Sequence, residues 1–424
     1  MQIKMDYGRS GLTLDVPDSA DVFLVRETPA LSNETAAIRD ALRNPIGSAP
    51  LAARVRKGLQ VLIVHTDITR ATPNDRLLPV ILEEIESSGI KKQDITLINA
   101  LGTHRPQTGS ELELMLGKAI TEQYNCIQHD AFDDANLGYN GTTSRGHPIH
   151  LNRALAQADL TVLTGFIEPH FFAGYSGGPK AILPGLAGAE SIYTNHSPEM
   201  IAHPRASFNV TAGNPIWEDI QEAALKVKNT FLVNVALNRT GVITGVFAGD
   251  LTAAHAKGCE FVQRSSVFTI DTPYDVVITS NSGYPLDQNL YQCVKGMAAA
   301  RQAVRKGGAI LMVAACEEGL PDHGSYADLL RKAGSVEALL RSFSSPDSVC
   351  QDSWQVQVQA QVQRDADIFL YSEGLSDAQI NASLLHPCRN LAETLEELMK
   401  TYGPRICVLP QGPLTILEID QRAT

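Results

Sequence analysis

The chain has 424 residues, 44% of them hydrophobic and 19% charged. That is a length for two or three domains and a composition able to bury sizeable cores, so disordered, collagen-like and coiled-coil classes are excluded. Thirty-five Lys and Arg stand against 47 Asp and Glu, a net charge of -12 with a pI near 5.4, whose field repels polyanions and makes nucleic acid or an anionic membrane an unexpected partner.

The opening residues from Met1 to Tyr7 lack the basic start and apolar stretch of a signal peptide. No apolar run approaches the ~20 residues needed to span a bilayer. The seven cysteines are scattered and form no CxxC pair, which points to reduced thiols rather than a disulfide frame or zinc finger. The expected location is cytoplasmic.

In chain order, short apolar and β-branched runs predict strands at 60–66, 95–101, 160–165, 230–236, 276–280, 309–314, 367–371 and 406–409. Between them, segments such as 74–88, 215–227 and 251–265 carry apolar residues at spacings of three and four, the helical period. Alternation of this kind predicts an α/β fold with mostly parallel sheets flanked by helices. A junction falls near Asp271–Tyr274, where Asp-Thr-Pro-Tyr interrupts two periodic segments. The expected domains are therefore 1–270 and 271–424. Gln355 to Gln363 alternates Gln with other residues, mainly Val, a biased but short tract.

In open α/β sheets ligands bind beyond the carboxyl ends of the strands, and three strands here end in reactive sequences. The first leads into Asp67-Ile68-Thr69-Arg70, the second into Gly102-Thr103-His104-Arg105-Pro106, and the third into Glu168-Pro169-His170 and on through Phe171 to Lys180, with Asn195-His196 a little later. His104, His170 and His196 are candidate bases, metal ligands or surface residues, and neighbouring strand ends would bring all three to one rim. His65 lies inside an apolar strand and reads as structural. His129, His147, His150, His203, His255, His323 and His386 have no supporting context. Arg70 and Lys295 suit a small carboxylate, one offering a bidentate fork and the other a mobile point charge. Asp67 is placed to orient a ligand hydroxyl or a base, or to cap the following turn.

The glycine-rich stretch matches two motifs badly. Gly174-Tyr175-Ser176-Gly177-Gly178 has the spacing of a hydrolase nucleophile elbow, but the preceding strand ends well before it and Pro179 follows at once; such a Ser belongs on a sharp strand-to-helix turn. Gly178-Pro179-Lys180-Ala181 is no P-loop, which needs Gly before the Lys and a hydroxyl after it. What remains is flexible backbone approaching a bulky ligand, with Lys180 as cation or nucleophile, or simply a glycine-rich lid. The C-terminal part opens with its own dense signature, Ser280 through Met297. There Tyr291 and Lys295 lie four apart on a predicted helix, on one face, with Gln292 beside them.

Together these motifs resemble the nickel-dependent lactate racemase family: Asp67 to Arg70, Gly102 to Pro106, Gly165 to Lys180, Asn195-His196-Ser197 and Gly283 to Met297, in order and at similar spacing from about residue 45 onward. The resemblance implies two α/β domains with the active site in the cleft between them. It implies nickel carried by a nickel-pincer nucleotide (pyridinium-3,5-bisthiocarboxylic acid mononucleotide), a pyridinium ring whose two sulfur groups grip the metal. His196 would be the protein's nickel ligand, Lys180 the lysine that can join the cofactor covalently, and His104 and His170 the paired acid/base groups. Asp67, Ile68, Thr69, Arg70, Ser176 and Gly177 would line the cofactor; Arg70, Tyr291, Gln292 and Lys295 would bind the substrate. Two positions depart from the family pattern: Pro179 stands where Arg is usual, and Pro169 where Ser is usual.

The implied activity is a racemase or epimerase of a small 2-hydroxy acid such as lactate, supplied with cofactor by biosynthesis proteins. The α-hydrogen of such an acid is hard to remove as a proton, whereas transfer as hydride avoids a carbanion, and two histidines near neutral pKa suit the accompanying proton traffic. Two other classes are carried beside it: a serine hydrolase using Ser176, and a non-catalytic protein that stores or senses the nickel cofactor.

Overall fold

The computed structural model describes residues 1–321, 324–345 and 348–420; His323 lies outside them. Two six-stranded sheets organise the chain. In the first, the spatial order is Ile243–Gly249, Thr230–Leu237, Leu160–Phe166, Val61–Thr66, Ile95–Ala100, Asn125–Gln128. All neighbours are parallel except the first pair, an antiparallel ribbon. The chain enters at Val61–Thr66, builds outward to one side, then returns to build the other. The switch point therefore falls between Val61–Thr66 and Leu160–Phe166, where such sheets open a crevice at the carboxyl ends of their strands.

The second sheet runs His386–Cys388, Ala366–Tyr371, Val304–Val313, Tyr274–Ser280, Ile406–Leu409, Asp21–Val22 and is parallel throughout. Its last strand comes from the start of the chain. The Gln2–Met5 and Leu12–Asp15 hairpin packs beside it, burying Met5, Tyr7 and Leu14 with Val276, Ile278 and Leu311. Residues from this stretch, expected in the first domain, pack on the second sheet.

Seven of the eight predicted strands appear within about two residues of their expected ends, as do the helices Asn74–Ser87, Pro215–Leu225 and Leu251–Ser266. Val304–Val313 starts five residues earlier than expected, because Arg305, Lys306 and two glycines interrupt its apolar run. The helix Ser353–Asp365 gives the Gln-rich tract a purpose. Its glutamine amides donate to main-chain carbonyls on surrounding elements: Gln357 to Pro198 at 2.8 Å, Gln359 to Ser383 at 2.9 Å and Gln355 to Tyr291 at 2.5 Å. Buried amides are tolerable only when so satisfied, and the Pro198 bond ties the second sheet's layer to the first.

All seven cysteines are free. Among the described residues no helix is long and apolar enough to cross a membrane.

Candidate active site

Three loops leave neighbouring strands of the first sheet at its switch point and meet the helix Leu290–Arg301 of the second half. Asn289 caps that helix, accepting from the Gln292 N–H at 3.2 Å, and so aims its first turn at the crevice. The resulting cleft encloses about 1100 Å³, its solvent-open mouth included. Asp67, Thr69, Arg70, His104, His170, Ser176, Gly177, Lys180, His196, Tyr291, Gln292 and Lys295 all line it. Ile68, expected beside them, does not: it is half-buried outside the lining.

The two candidate acid/base histidines are held in opposite senses. His104 Nδ1 donates to Asp67 Oδ2 at 2.5 Å, and Thr69 Oγ1 donates to Asp67 Oδ1 at 2.8 Å. A neutral His104 therefore keeps a free lone pair on Nε2. His170 Nδ1 instead accepts from the Ala173 N–H at 3.3 Å, which places the neutral ring's proton on Nε2. Burial would raise the Asp67 carboxyl, but His104, Arg70 and the Thr69 hydroxyl outweigh it and hold the acid below its ordinary range. Burial pushes His170 well below the usual histidine value, and the charges of Lys180, Arg70 and Lys295 push it further.

Lys180 is half-buried and drops to about 7, first through desolvation and then through Arg70 and Lys295. Lys295 falls to about 8 by burial and Arg70, with Glu168 and Asp67 pulling the other way; its ammonium donates to Gln292 Oε1 at 2.8 Å. Glu168 faces Arg70 at 3.8 Å, and burial raises its carboxyl despite Arg70 and Lys295. Arg70, Lys295 and a partly charged Lys180 thus converge on one cleft. Beyond burial, their mutual repulsion lowers both lysines, so an anion entering here is favoured.

Lys180 rides on a loop whose shape only glycine allows. Gly177 has φ +73, and a Cβ there would meet Asn234 Oδ1 at 2.5 Å and the Phe166 carbonyl at 2.8 Å; Gly178 has φ +55, and its Cβ would strike the His255 ring at 2.4 Å. Asn234 Oδ1 accepts from the Gly178 N–H at 2.7 Å, and His255 Nε2 donates to the Ser176 carbonyl at 2.8 Å. Asn234 and His255 are thus supports of the site that sequence reasoning missed; neither carries a motif, and His255 reads as an ordinary helix histidine.

The Ser176 hydroxyl donates to the Phe166 carbonyl at 2.9 Å and accepts from the Glu168 N–H at 3.0 Å. It follows the two-residue strand Gly174–Tyr175 and precedes a 3-10 turn at Gly178–Ala181. With its hydroxyl committed to backbone and no histidine bonded to it, Ser176 has none of the geometry of an activated nucleophile, and the hydrolase alternative fails.

His196 ends the Ala189–Asn195 helix between two aromatic edges, Phe172 with ring centroids 5.0 Å away and Trp354 at 5.3 Å. Burial and Lys180 bring it down to about 3, so it is a neutral imidazole, the form that ligates metal. Its Nδ1 is buried with no hydrogen-bond partner. Among the described residues no group of three or more His, Cys, Asp or Glu is placed to hold a metal, so a metal at His196 must bring most of its ligands with it. Trp354 and Gln355 also line the cleft, unforeseen because they sit at the head of the Gln-rich tract. Two histidines that had no supporting context in the sequence are tied into the fold: His129 donates to the Ala187 carbonyl at 3.0 Å, and His147 to the buried Asp219 at 2.5 Å.

Fold and cleft together define an α/β protein with a cationic, histidine-bearing site between two parallel sheets, suited to proton transfer on a small acid. Residues 7–209 match the family described as Lactate racemase N-terminal domain, and residues 270–417 the Lactate racemase C-terminal domain. The chain belongs to the lactate racemase family and is an isomerase of the racemase type. It is 34% identical to the lactate racemase of Thermoanaerobacterium thermosaccharolyticum over 98% of this chain and 99% of that one. It is also 34% identical to that of Lactiplantibacillus plantarum, over 97% and 98%. The solved lactate racemase apoprotein of T. thermosaccharolyticum superposes with a TM-score of 0.92 at 33% identity, covering 98% of this chain and 100% of that one. A Thermotoga maritima protein shares the fold at a TM-score of 0.68 and 21% identity, over 93% and 100%. The family implies a nickel cofactor.

Proposed function

We propose that this protein interconverts the two enantiomers of lactate or a close 2-hydroxy acid, using nickel held in a nickel-pincer nucleotide. The observation that supports it most is the convergence of Arg70, Lys180 and Lys295 with His104, His170 and His196 on one cleft. A cluster of half-buried cationic side chains fits an anionic nucleotide and a carboxylate substrate, and the unpartnered neutral imidazole of His196 fits a soft nickel–sulfur group. When bound, that cofactor supplies an electrophilic carbon able to take and return the substrate's C2 hydrogen as hydride.

The chain's own residues do the rest. Arg70 and Lys295 hold the carboxylate, with Gln292 fixing the Lys295 ammonium and Tyr291 walling the site. His104 Nε2, its lone pair free because Asp67 holds Nδ1–H, receives the hydroxyl proton of one enantiomer. His170 stands on the opposite side and, as an imidazolium, gives its Nε2 proton to the oxygen there and becomes neutral, and the roles reverse in the other direction. Lys180 is a cation or covalent anchor for the cofactor, while Thr69, Ser176 and Gly177 line it. The boundary between the cofactor-binding and substrate-binding halves lies at 270/271, with residues 1–22 on the second half. Proteins that build the cofactor are its expected partners.

The non-catalytic reading is disfavoured because two differently held histidines flank the cleft, an arrangement storage does not need. The test is metal analysis combined with chiral assay: protein expressed with the cofactor-making machinery should hold nickel and racemise lactate. His196→Ala should lose most of its nickel, whereas His104→Ala should keep nickel and lose activity. Wild-type protein loaded with nickel yet silent on every 2-hydroxy acid would defeat the proposal.

A further inference from the structure

A small recess lies beside the cleft and shares Arg70, His170, Phe171 and Lys295 with it. Arg70, Glu168, His170 and Lys295 form its polar edge; Pro169, Phe171, Phe208, Leu286 and Pro413 form its apolar walls. Phe171 and Phe208 are buried, Leu286 half-buried, and the recess has room for about one water-sized group.

Stereochemistry gives this recess a task. C2 of a 2-hydroxy acid carries hydrogen, hydroxyl, carboxylate and side chain. If the carboxylate stays on Arg70 and Lys295 and the hydrogen stays toward the cofactor, the two enantiomers differ only by exchanging hydroxyl and side chain. With the hydroxyl on His104, the side chain lies on the His170 side; with the hydroxyl on His170, it lies on the His104 side. The two sides are unequal. His104 has a side chain 38% exposed, so its side is open, whereas His170 is buried against Phe171 at 4.9 Å and Phe172 at 4.6 Å between ring centroids. A racemase must accept both placements, so the tighter side limits the substrate.

We infer that the recess walled by Pro169, Phe171, Phe208, Leu286 and Pro413 receives the substrate's side chain beside His170, and that its size restricts the enzyme to a one-carbon side chain. The inference rests on the racemase reading above and adds to it the residues that set chain length. Leu286 is the wall residue whose truncation is best tolerated, because it is half-buried and its backbone carbonyl, which accepts from Asn281, is untouched by a side-chain change.

The test compares kcat/KM for racemisation of lactate and 2-hydroxybutanoate by nickel-loaded wild type, Leu286→Ala and Phe208→Leu, each checked for wild-type circular dichroism. One methylene that does not fit costs roughly 10–200-fold, so wild type should prefer lactate by that factor. Leu286→Ala and Phe208→Leu should each narrow the preference by about tenfold. Equal rates on both acids in wild type, or an unchanged ratio in both folded variants, would overturn the recess assignment and leave the racemase reading intact. A loaded wild type silent on both acids would instead overturn the racemase reading and the recess with it.

Discussion

At His104 the Nδ1 proton is committed to Asp67 at 2.5 Å, and this one bond sets which ring nitrogen faces the cleft with a lone pair. Asp67→Asn puts an amide where a carboxylate accepted, so the ring loses both its anchor and its tautomer. Racemisation should fall roughly 10²–10⁴-fold, the usual worth of a positioned acid/base group, with nickel content unchanged by metal analysis. Loss of nickel in parallel would make Asp67 a cofactor holder instead. A second residue-scale prediction concerns stability. His65 and His255 are buried and lowered to about 4 from an ordinary 6.5. Between those values the unfolded chain binds protons that the folded one refuses, so their stabilisation is full above pH 6.5 and declines as the pH falls toward 4. The melting temperature should drop over that window, and His255→Phe, which keeps an aromatic ring against Trp217, should make the drop shallower. An identical pH slope in the variant would contradict this. Single residues were legible where a motif named them, as with His104, His170 and Lys180. His255, Asn234 and Trp354 were not, because their contribution is made by packing against distant segments.

Among elements, the parallel strands were the most readable. Buried on both faces, they are continuous apolar runs, and Ile406–Leu409 appears with the very ends its composition predicts. The strands that escaped notice are edge strands or parts of small ribbons: Asn125–Gln128 is polar, Asp21–Val22 has two residues, and Ile243–Gly249 carries two glycines. The glycine-rich loop was recognised as flexible backbone near a ligand, yet its shape is fixed by Asn234 and His255. Gly178→Ala would force a Cβ to within 2.4 Å of the His255 ring at a positive φ. Overpacking of that kind costs about 1–3 kcal/mol. The expected result is a lower melting temperature together with weaker cofactor retention, because Lys180 moves with the loop. A variant that melts and holds nickel like wild type would show that the loop is not braced by this contact.

For the molecule as a whole, the charge of -12 and the cationic cleft are compatible because they act at different ranges. Salt screens the surface field within ~8 Å, while Arg70, Lys180 and Lys295 act at short range inside the cleft. The two sheets meet through one continuous apolar core that includes Leu62 and Leu163 from the first and Val277 and Ile310 from the second, and the cleft lies where each sheet's loops reach across that seam. Composition could not show that Asp21–Val22, from the start of the chain, joins the second sheet, since pairing between residues 21 and 407 leaves no local trace.

In the proposed reaction the C2 hydrogen leaves and returns as hydride while the histidines handle only the hydroxyl proton. Racemising L-lactate in D₂O with the nickel-loaded enzyme and reading C2 by proton NMR tests it directly. The account predicts racemic lactate that retains protium at C2; racemic lactate carrying deuterium there would mean exchange with solvent through a proton base, and would contradict it.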